Sequence, residues 1–329
     1  MSEAQSTDIL GEVEQAQAQL AAVQAGVKAV IIGQDKVIEQ VLVTLLAGGH
    51  GLLVGLPGLA KTKLVETLGV VLGLQTSRVQ FTPDLMPADI LGSEVLEEGA
   101  NGAKSFRFLP GPVFSQLLMA DEINRASPRT QSALLQAMQE QHLSVAGARY
   151  DLPQPFHVLA TQNPLEQEGT YPLPEAQLDR FLCQIDVGYP DRAAERRIIV
   201  ETTGMETAQA QPVLAAGALV GLQRLVRQIP VGDGIVDLIL DVVRQARPDA
   251  DVKLAGLLSW APGPRAAQAL LLATRARALL LGRLTPSRED VAALSEPVLK
   301  HRMALTFAAR ASGETVEAVI AQLLKKAMG

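Results

Sequence analysis

One eight-residue segment of the chain carries the residue types that bind a triphosphate. Gly55 and Gly58 allow close backbone approach, Lys61 adds a full positive charge, and the Thr62 hydroxyl can ligate Mg²⁺. The apolar run 51–54 precedes the segment and a helix-compatible stretch follows it, so backbone N–H groups would point at phosphate oxygens. The predicted nucleotide contacts here are Gly55, Leu56, Pro57, Gly58, Leu59, Ala60, Lys61, Thr62 and Lys63.

One position of this segment departs from the common phosphate-loop pattern. Ala60 stands where a third glycine usually precedes the lysine. Alanine is the smallest change that could be made there, so we expect the loop to survive it. Taken alone, the segment fits both a phosphate loop and an ordinary strand-to-helix turn.

Two adjacent carboxylates follow a second apolar run, residues 117–120. Ligands of an open parallel sheet sit outside the carboxyl ends of its strands. With a triphosphate nearby, Asp121 would bind Mg²⁺ directly or through water, and Glu122 would polarise the attacking water. The pair alone also fits an acidic helix start, but its position downstream of Lys61 favours the catalytic interpretation.

Three further polar residues extend this pattern. Asn163 ends the apolar run 157–161, where an amide could hold the attacking water and sense the γ-phosphate. Arg180 and Arg265 lie near predicted helix boundaries, and a guanidinium there could stabilise charge on the γ-phosphoryl oxygens, worth roughly 10³–10⁵ in rate. Each has an ordinary alternative, since Asn-Pro is usually a turn and lone arginines are usually surface ion-pair partners.

The elements that would position these residues alternate between strands and helices. Short apolar runs at 51–54, 78–81, 117–120 and 157–161 have the length of buried parallel strands, and helical patterns separate several of them. This order favours an α/β fold with a parallel sheet covered on both faces. Beyond Tyr189 only helical patterns occur, which predicts an α/β core over residues 1–202, a linker over 203–212 and an α-helical domain over 213–329.

Composition limits the remaining possibilities. The 329 residues carry a net charge of −6 with acids and bases interspersed, so no basic block suggests nucleic-acid binding. Cys183 is the only cysteine, which excludes an intramolecular disulfide and a thiolate zinc site. Neither a secretory signal nor an uninterrupted apolar run of membrane-spanning length is present, so we expect a soluble cytoplasmic protein without membrane insertion.

Six ordered motifs resemble those of the MoxR family of AAA+ ATPases, in which alanine before the loop lysine is usual. The resemblance runs from about Val30 to the C-terminal helices. The motifs occupy residues 55–62, 80–84, 108–112, 120–126, 131–140 and 174–181.

The resemblance implies an αβα parallel-sheet AAA+ core followed by an all-helical lid, with ATP and Mg²⁺ as cofactors. It also implies a role for each candidate residue. These roles are Walker A for 55–62, Walker B for Asp121 and Glu122, sensor 1 for Asn163, an arginine finger reaching the neighbouring subunit for Arg180, sensor 2 on the lid for Arg265, adenine packing for Ile32 and Gly33, and metal binding for Thr62 and Asp121.

Two inserted hairpins are also expected from this resemblance. The first, over 92–108 with a turn at 99–102, would interrupt the second core helix, and the second, over 143–152, would precede the sensor 1 strand. In this subgroup such hairpins face the pore or a partner, although both segments also fit plain surface decoration.

A finger arginine cannot complete the site of its own subunit, so the resemblance predicts a ring, most simply a hexamer. It further implies chaperone-like remodelling of protein complexes, or assistance of cofactor or metal insertion. The partners would be a protein client and a separate protein with a von Willebrand factor A domain, which this chain lacks.

Three other functions remain open at this stage. A nucleic-acid translocase is disfavoured by the acidic balance and by the scarcity of bases near the hairpin tips, where Lys104 and Arg149 lie. A switch that binds but scarcely hydrolyses nucleotide is disfavoured by the presence of Glu122, Asn163 and Arg180. A magnesium-chelatase-like motor subunit is a closer alternative, distinguished by a porphyrin-metallating partner.

Overall fold

The computed structural model describes residues 3–98, 104–166, 169–204 and 208–329. Its strands within those ranges are β1 (Gly51–Gly55), β2 (Thr76–Gln80), β3 (Gly92–Glu98), β4 (Lys104–Pro110), β5 (Leu117–Asp121), β6 (His142–Val145), β7 (Ala148–Asp151), β8 (His157–Gln162), β9 (Cys183–Val187), β10 (Leu258–Trp260) and β11 (Ala304–Leu305). Five of them form a central sheet in the order β2-β5-β8-β1-β9, with all neighbours parallel. The predicted α/β fold with a parallel sheet is confirmed.

Four of the five central strands lie where the sequence predicts them, and β9 was not predicted. It occupies the edge of the sheet beside β1, and its residues alternate between buried and more accessible positions. The polar residues Gln184 and Asp186 interrupt its apolar pattern because only one face is covered. By contrast, all five residues of β5 are buried, as expected for an interior strand.

The sheet separates two hydrophobic cores. Leu117 and Met119 of β5 belong to the first core, whereas Leu118 and Ala120 belong to the second, because successive side chains of a strand point to opposite faces. The first core includes the N-terminal helices and the C-terminal helical region, and the second includes the helix after β5.

The helices complete the layers on the two faces of the sheet. They are α1 (Glu3–Lys28), α2 (Asp35–Leu46), α3 (Lys61–Val71), α4 (Pro87–Leu91), α5 (Pro128–Glu140), α6 (Glu175–Leu178), α7 (Arg192–Thr202), α8 (Ala218–Gln228), α9 (Asp233–Arg244), α10 (Val252–Ala255), α11 (Pro264–Leu280), α12 (Arg288–Leu299), α13 (Phe307–Ala311) and α14 (Val316–Met328). Helix α1 buries Val13, Ala16, Leu20, Val23 and Val27, which lie on one face at helical spacing, and packs against α2, α3 and α11.

Both predicted hairpins are present. Strands β3 and β4 pair antiparallel directly after α4, and the predicted turn at 99–102 lies outside the described residues. Strands β6 and β7 pair antiparallel, and Ala146 and Gly147 both take a positive φ in the turn between them. The rings of Phe108 and Tyr150 lie 4.3 Å apart, so the two hairpins pack against each other.

The C-terminal region is helical, as predicted, with one addition. The short strands β10 and β11 pair antiparallel and fasten the segment before α11 to the segment before α13. Of the predicted linker, residues 205–207 lie outside the described residues, so the domain boundaries stay a prediction. Within the described residues, no helix is both long enough and apolar enough to span a membrane.

Candidate nucleotide-binding site

The loop after β1 has a backbone that small residues must form. A Cβ on Gly55 would lie 2.5 Å from the carbonyl oxygen of Val187 on β9, so only glycine fits there. Gly58 and Ala60 have φ values of 83° and 58°, in the left-handed region. For Ala60 this conformation costs about 1–2 kcal/mol, which a larger or branched side chain would increase. Helix α3 begins at the next residue, Lys61.

Lys61 is turned back onto its own loop. Its Nζ donates hydrogen bonds of 2.6 Å and 2.7 Å to the carbonyl oxygens of Gly55 and Leu56. Burial lowers the pKa of this ammonium, while Asp121 and Glu122 act in the opposite direction. Phosphate oxygens would replace the two carbonyls as acceptors and would favour the charged form.

Two of the four predicted catalytic residues, Glu122 and Asn163, line one cavity of about 370 Å³ together with Lys61 and Asp121. It lies outside the carboxyl ends of β1, β5 and β8, three neighbouring strands of the sheet. Its lining residues are Pro57, Gly58, Leu59, Ala60, Lys61, Thr62, Lys63, Asp121, Glu122, Thr161 and Asn163.

Asp121 is held by donors from both neighbouring strands. Its Oδ1 accepts a hydrogen bond of 2.6 Å from the hydroxyl of Thr161 on β8, and its Oδ2 accepts one of 2.7 Å from Arg78 on β2. The carboxylate is 12 % exposed, on the side of the cavity. Each oxygen has a second lone pair left for a metal or a metal-bound water.

Glu122 is held in a different manner. Its backbone has a φ of 54°, and its N–H donates 2.8 Å to the Thr161 hydroxyl. One carboxylate oxygen, Oε2, accepts from both Gln80 and Arg125, each at 2.8 Å. Thr161 therefore fixes the relative positions of Asp121 and Glu122, and Gln80 and Arg125 restrain the carboxylate of the proposed base.

Asn163 and Thr62 face the same cavity. The Oδ1 of Asn163 accepts a hydrogen bond of 3.1 Å from the backbone N–H of Leu165, an Asx-turn contact that orients the side-chain amide. Thr62 lies in the first turn of α3 and lines the cavity together with Asp121. The structure therefore brings together the two residues expected to hold a metal and the residue expected to position water.

A larger cavity of about 910 Å³ adjoins the first one and shares Gly58, Leu59, Ala60 and Lys63 with it. Ile32, which is predicted to pack against adenine, lines it together with Tyr189, Pro190 and Ile198, for which the sequence analysis predicted no role. Gly33 shapes this wall indirectly, since its φ is 73° and a Cβ would lie 2.4 Å from that of Ala194.

Arg180 and Arg265 lie together, but in a separate cavity of about 300 Å³. Gly49 and His50 line this cavity and precede β1, whereas the phosphate loop follows it. The five residues of β1 put roughly 16 Å between the two ends. Neither arginine therefore reaches the nucleotide cavity of its own chain. Arg180 donates to the carbonyl of Leu135, and Arg265 donates to Asp179 at 3.3 Å.

Four site residues were given no role by the sequence: Arg78, Gln80, Arg125 and Thr161. Gln80 and Arg125 lie inside two of the six sequence motifs, and Thr161 ends a predicted strand. Because these residues lie beside the carboxyl ends of parallel strands, the sequence could have indicated that they belong to the site. It could not have indicated their hydrogen-bond partners, because those depend on the order of strands in the sheet.

Comparisons with known proteins identify the family of the chain. Residues 50–183 match the family model for the ATPase family associated with various cellular activities (AAA), and residues 258–323 match the model for an AAA lid domain. The chain is 44 % identical to Chaperone MoxR1 of Mycobacterium tuberculosis over 302 residues, which covers 91 % of this chain and 79 % of that protein. The chain belongs to the MoxR family of AAA+ ATPases.

A second protein named MoxR and a solved structure are also similar to this MoxR-family chain. It is 32 % identical to Protein MoxR of Paracoccus denitrificans, covering 86 % of this chain and 88 % of the relative. A crystal structure of a Cytophaga hutchinsonii protein, provisionally described as an ATPase, superposes with a TM-score of 0.89 at 34 % identity and covers 98 % of both chains. Lys61, Asp121, Glu122 and Arg180 fall inside the AAA match, and Arg265 falls inside the lid match.

Proposed function

We propose that this chain is an ATP-hydrolysing motor that remodels protein complexes. The observation that carries the proposal is the convergence of Lys61, Asp121, Glu122 and Asn163 on one cavity at the carboxyl ends of three neighbouring strands. A cationic phosphate ligand, a metal-binding carboxylate, a base and an amide are the groups that hydrolysis of a phosphoanhydride needs. The adjoining cavity beside Ile32 has room for a nucleoside.

The oxygen ligands in the cavity fit Mg²⁺ better than a metal ion that is bound entirely by protein side chains. Within the described residues, no group of three or more His, Cys, Asp or Glu side chains could hold a metal ion. Thr62 and Asp121 offer two hard oxygen ligands, and Mg²⁺ typically takes its remaining ligands from phosphates and water. When bound, Mg²⁺ would neutralise charge on the phosphate oxygens.

The residues of the chain then have distinct tasks. Lys61 leaves the carbonyls of Gly55 and Leu56 and binds phosphate oxygens. Glu122 leaves Gln80 and Arg125 and takes a proton from the attacking water, which Asn163 orients.

The arginines that would stabilise negative charge on the γ-phosphoryl oxygens would come from a second subunit. Arg180 and Arg265 lie at the far end of β1 from Lys61, so they can meet a nucleotide only across a boundary between two subunits. Such a head-to-tail contact closes into a ring, which the family resemblance makes hexameric. Each subunit would then bind one ATP and donate two arginines to its neighbour.

The proposed cellular role of this ring rests on its family. The relative named Chaperone MoxR1 supports chaperone-like remodelling of a protein client, or assistance of cofactor or metal insertion. A separate protein with a von Willebrand factor A domain would be the partner, and the cytoplasm the site of action. The bases Arg107 and Arg149 of the two hairpins are paired with Glu97 and Asp151, which leaves less free positive charge for nucleic acid.

Measurements on the purified protein and on one variant test this proposal. Purified protein should hydrolyse ATP only with Mg²⁺, form a ring with ATP by light scattering, and gain nothing from single-stranded DNA. Glu122→Gln should lower kcat by about 10³-fold while retaining ATP binding, because it removes only the base. Turnover of Glu122→Gln equal to that of the unmodified protein would favour a nucleotide-dependent switch, and stimulation by DNA would favour a translocase.

Mixed rings test the shared site. Lys61→Ala subunits lack a working phosphate loop and Arg180→Ala subunits lack the finger, so each should be nearly inactive alone. An equimolar mixture should recover turnover, because some Arg180→Ala subunits then have a Lys61→Ala neighbour with an intact finger. The double variant Lys61→Ala/Arg180→Ala should not restore Arg180→Ala, and its failure to do so is the matched control.

A further inference from the structure

Arg302 is a buried arginine bonded to the loop that carries Arg180. It lies in the short helical turn 300–302 after α12 and is 2 % exposed. Its Nε donates to the Asp179 carboxylate at 2.7 Å, and its Nη2 donates to the carbonyl of Phe181 at 2.7 Å. Its Nη1 donates to the carbonyl of Leu182 at 3.0 Å.

These bonds enclose Arg180 on both sides. Nη2 also lies 3.3 Å from the carbonyl oxygen of Asp179, the residue before Arg180, while Phe181 and Leu182 follow it. A single guanidinium therefore fixes the backbone from which the Arg180 side chain extends. The Arg180 side chain itself contacts α5 through the carbonyl of Leu135.

The Asp179 carboxylate that binds Arg302 also binds Arg265, the second arginine of the cavity. The Asp179 carboxylate accepts from Arg302 on one oxygen and from Arg265 on the other, at 2.7 Å and 3.3 Å. Arg265 is 59 % exposed and Arg302 is 3 % exposed, measured on the side chains. The accessible arginine can thus meet a ligand, while the buried one can only support the loop.

The shape of guanidinium is essential to this arrangement. Its planar fork presents five N–H donors and here reaches one carboxylate and several carbonyls at once. A lysine at this position would keep the charge but could not bond the same set of acceptors. Arg302 also stands in the C-terminal region, so it links that region directly to the loop of Arg180.

We propose that Arg302 is a positioning residue for the finger arginine: it fixes the loop of Arg180 to the lid, so that Arg180 and Arg265 move as one unit toward the neighbouring subunit's nucleotide. This inference rests on the proposed function, in which Arg180 acts on the ATP of the next subunit. It predicts that movement of the lid moves the finger by the same displacement.

The test uses the full chain with Arg302→Lys. Because a misplacement near 1 Å can cost about 100-fold, we expect kcat for ATP to fall roughly 10- to 100-fold. The KM for ATP should change less than about twofold, because Arg302 lines neither cavity beside Lys61. Lys300→Met is the matched control: Lys300 lies in the same turn, and its ion pairs are with Asp186 and Glu317 rather than with Asp179. It should retain kcat within about twofold.

Mixed rings separate positioning from general damage. Arg302→Lys subunits mixed with Lys61→Ala subunits should recover up to about half of normal turnover per competent site, since about half of them then have an undamaged finger beside them. Mixing with Lys61→Ala/Arg180→Ala subunits should give no recovery. If Arg302→Lys fails to assemble, Asp179→Asn removes the shared carboxylate and should show the same pattern.

The possible failures are distinguishable. If Arg180→Ala is restored by Lys61→Ala subunits but assembled Arg302→Lys is not, the shared site stands and Arg302 is not a positioning residue. A raised KM with unchanged kcat in Arg302→Lys would also overturn the inference. If Arg180→Ala itself is not restored, the shared site of the proposed function fails.

Discussion

The side-chain amide of Gln80 donates a hydrogen bond of 2.8 Å to the carboxylate of Glu122. Arg125 donates to the same oxygen, Oε2, at the same distance. Both hydrogen bonds involve a charged acceptor and hold the carboxylate in this position. We expect Glu122 to release these two donors when it turns toward a water molecule in the cavity.

The variant Gln80→Leu tests this restraint. A hydrogen bond to a charged group contributes about 1.5–3 kcal/mol, but Arg125 still binds the same oxygen in this variant. Only part of that energy should therefore be released, and basal ATP turnover should rise several-fold, up to about tenfold. Steady-state phosphate release without a client is the measurement. Gln184→Leu, on strand β9 and bonded to Asp186, is the control and should leave turnover unchanged. Slower turnover in Gln80→Leu would instead mean that Gln80 orients the base for catalysis.

The variant Thr161→Val tests the link between the two carboxylates. The buried hydroxyl donates to Asp121 at 2.6 Å and accepts from the backbone N–H of Glu122 at 2.8 Å. Valine has the same shape without these bonds, so we expect kcat to fall roughly 10- to 100-fold and the free energy of unfolding to fall by about 1–3 kcal/mol. Thr161→Ser keeps the hydroxyl and should retain most activity. Equal losses in both variants would assign the effect to packing.

The sequence was most informative where chemistry is local. The phosphate loop, Asp121 and Asn163 were all placed correctly in the fold because each follows a short apolar run, and the ends of parallel strands meet at one edge. The prediction that the loop survives with alanine at position 60 holds because the left-handed conformation of Ala60 costs a small residue little free energy.

The features that the sequence did not predict depend on contacts between residues far apart in the chain. Strand β10 finds its partner only in β11, far along the chain, and each is too short to show a pattern. The position of Arg265 beside Arg180 depends on Asp179, which is contacted by two arginines of the C-terminal region. No local pattern in the sequence encodes that docking.

The variant Asp290→Asn should destabilise the C-terminal region. Its side chain has no exposed surface and is bonded by Arg277 at 2.6 Å and by Arg283 at 2.5 Å and 2.7 Å. Burial acts to raise the pKa of Asp290, but hydrogen bonds from Arg283, Arg277 and the backbone of Ser287 outweigh it and lower that pKa.

Removing this charge leaves Arg277 with Glu39 as its remaining carboxylate partner and takes from Arg283 the carboxylate that it binds with two hydrogen bonds. The free energy of unfolding should therefore fall by about 3 kcal/mol. Urea unfolding followed by circular dichroism is the measurement. Asp241→Asn, at an exposed position of α9, is the control and should change stability by less than about 0.5 kcal/mol. A small loss in Asp290→Asn would show that the cluster is solvated more than its burial indicates.

Two buried histidines make folding sensitive to acid. Nδ1 of His50 accepts from the backbone N–H of Val158, and Nδ1 of His157 lies 2.8 Å from the carbonyl of Gly49, so both rings are neutral and in opposite tautomers. Burial lowers the pKa of His50 to about 3 and that of His157 to about 4, with each well below the ordinary value of 6.5. In the folded state both therefore resist protons that the unfolded chain binds.

The sign of the pH effect follows from these lowered pKa values. Their stabilising contribution is complete above pH 6.5 and is lost as pH falls, because the unfolded state takes up protons first. Between pH 7 and pH 5 the two groups should reduce the free energy of unfolding by about 4 kcal/mol in total. His157→Gln, whose amide can meet the same neighbours, should remove about half of this 4 kcal/mol dependence in urea unfolding at each pH. Parallel pH profiles for His157→Gln and the unmodified protein would show that His157 is protonated in the folded state as readily as in the unfolded one.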